Sequence, residues 1–237
     1  MRRATRIAAI VLISAGALTL AWAAVVWRWQ DPFTALYTHW QQGKLAASLD
    51  RQLAVYHPVR VRVHADGLAA ERHAVAHDAA VYQRQAHAGQ AIGRITIGRI
   101  GLKMVVVDGT DEASLEKGPG LDRRTAMPGE NRLVYIAGHR TTYLAPFSHI
   151  NDIRNGDFIR LQMPYATFVY RAYTHRIVPA TDLSVLRSPK HELLELQACH
   201  PRFFATHRYI VYAKLVSVQP REGSPYTVEA AAASSAR

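Results

Sequence analysis

Residues Ile7 to Trp27 run for 21 positions without a charged side chain. A helix of that length covers roughly 31 Å, enough to cross the hydrocarbon core of a bilayer. Trp22, Trp27 and Trp29 crowd its far end, where indoles favour the membrane interface. Beyond it, apolar residues at 33, 36, 37 and 40 predict an amphipathic helix, which Pro58 and the alternating Val59-Arg-Val-Arg-Val63 interrupt with a short extended piece. Ala65 to Ala88 is rich in alanine with scattered Arg, Glu, Gln and His, a composition suited to an exposed helix or a partly ordered stalk.

After Gly89 the pattern changes. Runs starting at Ala91, Leu102, Arg132, Asp157, Thr167, Leu193 and Tyr209 are rich in β-branched and aromatic residues, and turn formers such as Asp108-Gly109, Pro128-Gly129, Asn155-Gly156 and Met163-Pro164 separate them. Asn155-Gly156 is expected as a tight turn between strands. Glu112 to Lys117 and Pro146 to Ile150 read as single helical turns. Many short strands with few helices predict an all-β barrel or sandwich over about Gln90 to Val218. The expected organisation is an anchor at 1–30, a helical stalk at 31–89, a β-rich domain at 90–219 and a disordered tail at 220–237.

At 237 residues and 49% hydrophobic, the chain can bury one good core. Its formal charge of +11 and pI near 10.1 favour anionic surroundings: nucleic acid, phospholipid head groups or cell-wall polymer. Nothing in it resembles a zinc finger, a P-loop or an aromatic RNA-binding signature, and an exported domain makes nucleic acid the weakest of the three. Arg2, Arg3 and Arg6 precede the apolar run, so the N-terminus is expected inside and the rest outside. A cleaved signal peptide is the alternative, since Ala21-Trp-Ala23 has small residues at the cleavage positions, but the apolar run exceeds the usual signal core. The single cysteine excludes an internal disulfide and a multi-cysteine zinc site. His73 and His77 can share a helix face but lack a third ligand, so no metal or other cofactor is expected.

That one cysteine, Cys199, ends the apolar run Leu193-Leu-Glu-Leu-Gln-Ala, and Arg208 follows nine residues later at the start of the next β-like run. His139 ends another run, Tyr135-Ile-Ala-Gly-His. A thiol, an imidazole and a guanidinium at strand edges are the parts needed for acyl transfer through a thioester. A thiol with a pKa near 8.5 needs neighbouring positive charge to become a thiolate. His139 can protonate a leaving amine and deprotonate an incoming nucleophile. Arg208 stays protonated, so it suits a developing oxyanion or substrate carbonyls. His200, next to the cysteine, is expected on the opposite face of the strand, and His207 is a weaker rival to His139 as base. Arg140, Arg202 and His149 are further candidates for the cleft.

The order His-Cys-Arg, the Tyr-Ile-Ala-Gly-His-Arg segment, the nine-residue spacing and the N-terminal anchor together resemble the sortases. Ala-Cys-His-Pro-Arg-Phe and Trp29-Gln-Asp-Pro-Phe are most similar to the class E group. The resemblance implies a closed β-barrel with short helices on the outer face of a bacterial cytoplasmic membrane. It implies a transpeptidase that cleaves a C-terminal sorting signal of a secreted protein between Thr and Gly, with Leu-Ala-x-Thr-Gly favoured over Leu-Pro-x-Thr-Gly. A peptidoglycan-precursor amine would then resolve the thioester. On this resemblance Cys199 is the nucleophile, His139 the general acid/base and Arg208 the oxyanion or substrate stabiliser. The chain departs from the family's Thr-Leu-x-Thr-Cys pattern, because Ala198 stands where the substrate-contacting threonine is expected. Thr141 and Thr142, after the histidine, are the candidates to supply a hydroxyl instead, though both read equally well as plain loop residues. An exported hydrolase using water, or an inactive wall- or membrane-binding module, are the competing expectations.

Overall fold

The apolar run forms helix α1 (Arg2–Trp29), and its window from Arg3 to Val25 is long and apolar enough to span a membrane, with none of it buried against the rest of the chain. The computed structural model describes residues 2–29, 32–58 and 67–228, so the extended piece expected at 59–63 and the tail from 229 lie outside the described residues. The side chains of Trp27 and Trp29 lie outside them too, whereas Trp22 is exposed.

Two more helices follow, α2 (Pro32–Val55) and α3 (Leu68–Gln85). They are not a free stalk. In α3, Val75, Ala79 and Tyr82, with Ala86 just beyond, make a buried stripe that joins the main core. The small alanines let the helix approach the barrel closely, and Tyr82 donates its hydroxyl to Gln52 of α2 at 2.9 Å. Leu49 of α2, with Leu45, Ala46 and Leu53 around it, packs on Ala91 and Val105. The signal was present at 75, 79, 82 and 86, the i, i+4, i+7, i+11 spacing of a helix face, but alanine masks it as polar filler.

The β-rich domain is built from β1 (Ala91–Ile97), β2 (Leu102–Asp108), β3 (Gly120–Leu121), β4 (Leu133–Ala137), β5 (Phe158–Gln162), β6 (Ala166–Pro179), β7 (Leu193–His200), β8 (His207–Pro220) and β9 (Tyr226–Thr227). Their order is β6-β5-β1-β2-β3-β4-β7-β8, and β6 pairs with β8 to close an eight-strand barrel, with β9 added to β8. The tail reading therefore begins too early, because Tyr226 and Thr227 pair with Val218 and Ser217. Asn155-Gly156 does not join two strands; it leads from a 3-10 turn at Ile150–Asp152 into β5. The expected helical turn at 112–117 is α4 (Glu112–Leu115), capped by Asp111, whose side chain accepts from the Ser114 amide.

Strands β5 and β6 alternate buried and exposed positions, as sheets with one solvated face do. β4 and most of β7 are buried on both faces. Their inward residues, such as Val134, Ile136, Leu194 and Leu196, belong to the main core. Their outward residues Leu133, Tyr135, Ala137 and Leu193 join Ile210 and Tyr212 of β8 in a second cluster. Leu115, Val185 and Leu186 cover that cluster from two short turns.

Candidate active site

Register decides which side chains meet. β4 and β7 run parallel with Ala137 opposite Gln197, and the Gly138 amide donates to the Gln197 carbonyl at 3.0 Å, so the chain delivers His139 level with Cys199. β7 and β8 are antiparallel with Cys199 opposite Arg208. His139, two residues past the end of β4, thus falls in one row with Cys199 of β7 and Arg208 of β8. Cys199 and Arg208 share the parity of the outward cluster, so both side chains leave the barrel on the same side, and His139 comes off the end of β4 beside them. They line one cleft of about 280 Å³.

The cleft walls are two capped turns. Asp111 caps α4, which brings Leu115, and Asp182 accepts from the Ser184 amide at 2.9 Å to cap the 3-10 turn Leu183–Leu186. Tyr135, Ala137 and Gln197 form the floor. Asp122 and Arg124 line the cleft as a fork-on-fork pair, with Arg124 Nε and Nη2 donating to the two carboxylate oxygens at 2.9 and 2.7 Å. Burial works to raise the Asp122 pKa, but the Arg124 hydrogen bonds outweigh it and hold the carboxyl below its usual range.

Gly138 must be glycine for reasons of space. A Cβ there would stand 2.7 Å from the Phe147 ring. That contact lets the loop after His139 fold back, and the Phe147 amide donates to the His139 carbonyl at 3.1 Å. Burial pushes the His139 imidazole below its ordinary pKa, and the carboxylates of Glu116 and Glu112 act against that shift. Its Nε2 is buried without a hydrogen-bond partner. Cys199 is a free thiol, half-buried. Arg208 is anchored by Nη1, which donates to the carbonyls of Ala205 at 2.7 Å and His207 at 3.0 Å.

The other expected site residues fall elsewhere. Ala198 is fully buried, with its methyl in the main core. Thr141 and Thr142 sit half-buried in the loop after His139 and do not line the cleft. His200 lies on the face away from the cleft, with Nδ1 2.9 Å from Arg140 Nη1. His207 is exposed and pairs with the Thr206 hydroxyl. Arg202 is exposed, and His149 is exposed and pairs with Asp152 at 3.0 Å; neither lines the cleft. Arg140 is buried behind β7, where Nη1 donates to the Cys199 carbonyl at 3.1 Å and Nη2 to Asn151. It braces the backbone that carries the thiol. A larger cavity of about 670 Å³, ringed by Arg72, Arg171, Lys190 and Lys214, lies toward the opposite end of β7 and β8 and is lined by neither cysteine nor serine.

A family model described as the sortase domain matches residues 95–216, which include His139, Cys199 and Arg208. The chain belongs to the sortase family. Among relatives, this sortase is 36% identical to Sortase D of Bacillus subtilis over 134 residues, which are 54% of this chain and 66% of that protein. It is 35% identical to Sortase SrtE1 of Streptomyces coelicolor over 115 residues, 43% of this chain and 32% of that one. The match thus spans just under two thirds of the first relative and about a third of the second. Among solved structures, a Clostridium perfringens Sortase D5 transpeptidase superposes with a TM-score of 0.60 at 26% identity, covering 74% of this chain and 98% of that one. Sortase E of Streptomyces avermitilis gives 0.51 at 31% identity over 56% and 93%.

One carboxylate on β7 matters for stability. Glu195 lies between Tyr135 of β4 and Tyr212 of β8, buried, with Oε2 lacking a hydrogen-bond partner. Burial pushes its pKa up to about 8, against a downward pull from Arg176. The folded state therefore keeps a proton that the unfolded chain loses near its ordinary value, so stability declines as pH rises toward 8. Glu195→Gln is expected to flatten this decline, removing on the order of 2–4 kcal/mol of the difference between pH 5 and pH 8.5. Glu192, pushed up to about 7 by its burial, leaves a residual slope of the same sign. Denaturant unfolding at the two pH values checks this, and an unchanged slope contradicts it.

Proposed function

We propose that this sortase is a membrane-anchored cysteine transpeptidase and that Cys199, His139 and Arg208 carry its chemistry. The observation that carries the reading is the row itself: a thiol and a guanidinium on paired strands and an imidazole just past the end of the third, lining one cleft. The Cys199 thiolate attacks the carbonyl carbon of the threonine in a Thr-Gly bond. The oxygen that gains charge is met by the Arg208 guanidinium, whose Nη1 is already held by two backbone carbonyls. His139 gives its proton to the departing glycine amine, leaving a thioester between Cys199 and the threonine. An incoming amine then attacks the thioester, His139 takes its proton, and the thiolate is released with a new amide formed.

A cleft of about 280 Å³ whose lining mixes apolar side chains with Gln197, Asp122 and Arg124 suits a short peptide rather than a folded surface. The Streptomyces coelicolor sortase E1 structure holds a tripeptide in its active site, which supports a peptide substrate here. We read the signal as Leu-Ala-x-Thr-Gly, in the manner of class E, from the segments around Cys199 and Trp29. The clients are secreted proteins bearing that signal, and the acceptor is an amine of a peptidoglycan precursor. Arg3 and Arg6 at the start of α1 favour an N-terminus inside the cell and a catalytic domain outside the cytoplasmic membrane.

Incubation with a quenched Leu-Ala-x-Thr-Gly peptide, with and without a peptidoglycan stem-peptide amine, tests the reaction class. The expected result is an amide product that grows with amine concentration at the expense of the free acid. A product pool of acid alone at every amine concentration identifies a hydrolase instead.

A further inference from the structure

We infer that helix α2, the first after the membrane segment, positions His139 by gripping Glu116 and Tyr143. The inference rests on the reading of His139 as the general acid/base.

The imidazole ring packs against Tyr143, with centroids 5.1 Å apart and planes 37° apart. Its buried Nε2 has no hydrogen-bond partner, so no bond at that atom fixes the ring, and the Tyr143 ring is in position to orient it. Tyr143 is itself held in a costly conformation. Its φ is +51°, and Leu144 and Ala145 follow at +59° and +39°, three successive non-glycine residues in the left-handed region. Such a run persists only where the surroundings impose it.

The surroundings that impose it come from α2. The Tyr143 amide donates to the Thr34 hydroxyl at 3.2 Å, and the Tyr143 hydroxyl donates to Glu116 Oε1 at 2.9 Å. Glu116 is fixed in turn, since its carbonyl accepts from the hydroxyl of Thr38, a fully buried residue, at 2.8 Å. One turn further along, Gln42 donates to the Lys117 carbonyl at 2.8 Å and to the Val105 carbonyl, and accepts from the Val105 amide. Thr34, Thr38 and Gln42 are spaced four apart, so they form a polar stripe on one face of α2. The path runs from that stripe through the 116–117 turn and Tyr143 to the imidazole. Glu116 also acts by charge: its carboxylate and that of Glu112 favour the protonated form of His139, in a cleft that Cys199, Arg208, Asp122 and Arg124 also line.

The test uses the full chain in detergent micelles with the quenched peptide. Thr34→Val with Thr38→Val is expected to lower kcat at least tenfold with KM within about threefold, and the matching Ser pair to recover most of it. Tyr143→Phe is expected to lower kcat without moving the pH profile. Glu116→Gln keeps an acceptor for Tyr143 but loses the charge, so the limb of the profile that belongs to His139 is expected to move to lower pH. Parental kcat in the Val pair and in Tyr143→Phe, with an unmoved limb in Glu116→Gln, overturns the inference. If the Val pair does not fold, Tyr143→Phe and Glu116→Gln decide alone. His139→Ala separates the two claims: an active His139→Ala sinks the catalytic reading, whereas an inactive one beside unaffected α2 variants sinks only the positioning role.

Discussion

Cys199→Ala is expected to abolish cleavage of a Leu-Ala-x-Thr-Gly peptide, with kcat/KM falling by at least about 10³-fold. No other thiol exists in the chain to substitute for it. Serine is expected to fail nearly as badly. A hydroxyl needs a general base to ionise, and the same row offers only one imidazole, which burial keeps from gaining a proton easily. Neither change should unfold the protein, because Cys199 is half-buried at the penultimate position of β7 and its β8 partner Arg208 is held by backbone carbonyls rather than by the thiol. Peptide turnover with unfolding midpoints measured alongside separates lost chemistry from lost fold. A Cys199→Ala chain that cleaves as fast as the parent ends the thioester account.

Arg208→Ala is expected to be the second-largest loss, about 10²–10³-fold in kcat, corresponding to about 2.7–4 kcal/mol of transition-state stabilisation. The effect should fall mainly on kcat, because the interaction strengthens as charge develops on the carbonyl oxygen. Arg208→Lys is the sharper test. Lysine keeps the charge but not the planar fork, and here Nη1 is spent on the Ala205 and His207 carbonyls. If the fork is what matters, Lys recovers little of the loss; if charge alone suffices, Lys recovers most of it. A KM defect with unchanged kcat in both variants would move Arg208 from transition-state stabilisation to ordinary substrate binding.

The strands that bring His139, Cys199 and Arg208 to one cleft are legible because an apolar run meets a polar side chain at one end of each: Ala137-Gly138 before His139, Ala198 before Cys199, and His207–Arg208 opening β8. Periodicity could not show that these ends sit side by side. That depends on parallel pairing of β4 with β7, a long-range contact with no local signature. The roles themselves came from resemblance to a family. What stayed hidden was everything built from loops. Asp122, Arg124 and the 183–186 turn wall the cleft, yet they lie between strands and obey no period. Tyr143 reads as an ordinary loop residue until its left-handed backbone is seen. The helices at 32–55 and 68–85 are visible as helices, but alanine at positions 79 and 86 conceals that α3 docks on the barrel, and the leucines of α2 do not say what they pack against. Thr141 and Thr142 were credible sources of a hydroxyl by proximity in sequence, whereas the fold-back onto Phe147 carries the chain away from the cleft lining.

The most direct measurement is the intact mass of the full chain, quenched in acid seconds after mixing with the Leu-Ala-x-Thr-Gly peptide and no amine. The predicted spectrum shows a new species heavier by the peptide's N-terminal part through threonine, less water, mapped to Cys199, lost on adding amine and missing in Cys199→Ala. Product release with the chain at its unmodified mass throughout, or an adduct on any other residue, would contradict the account.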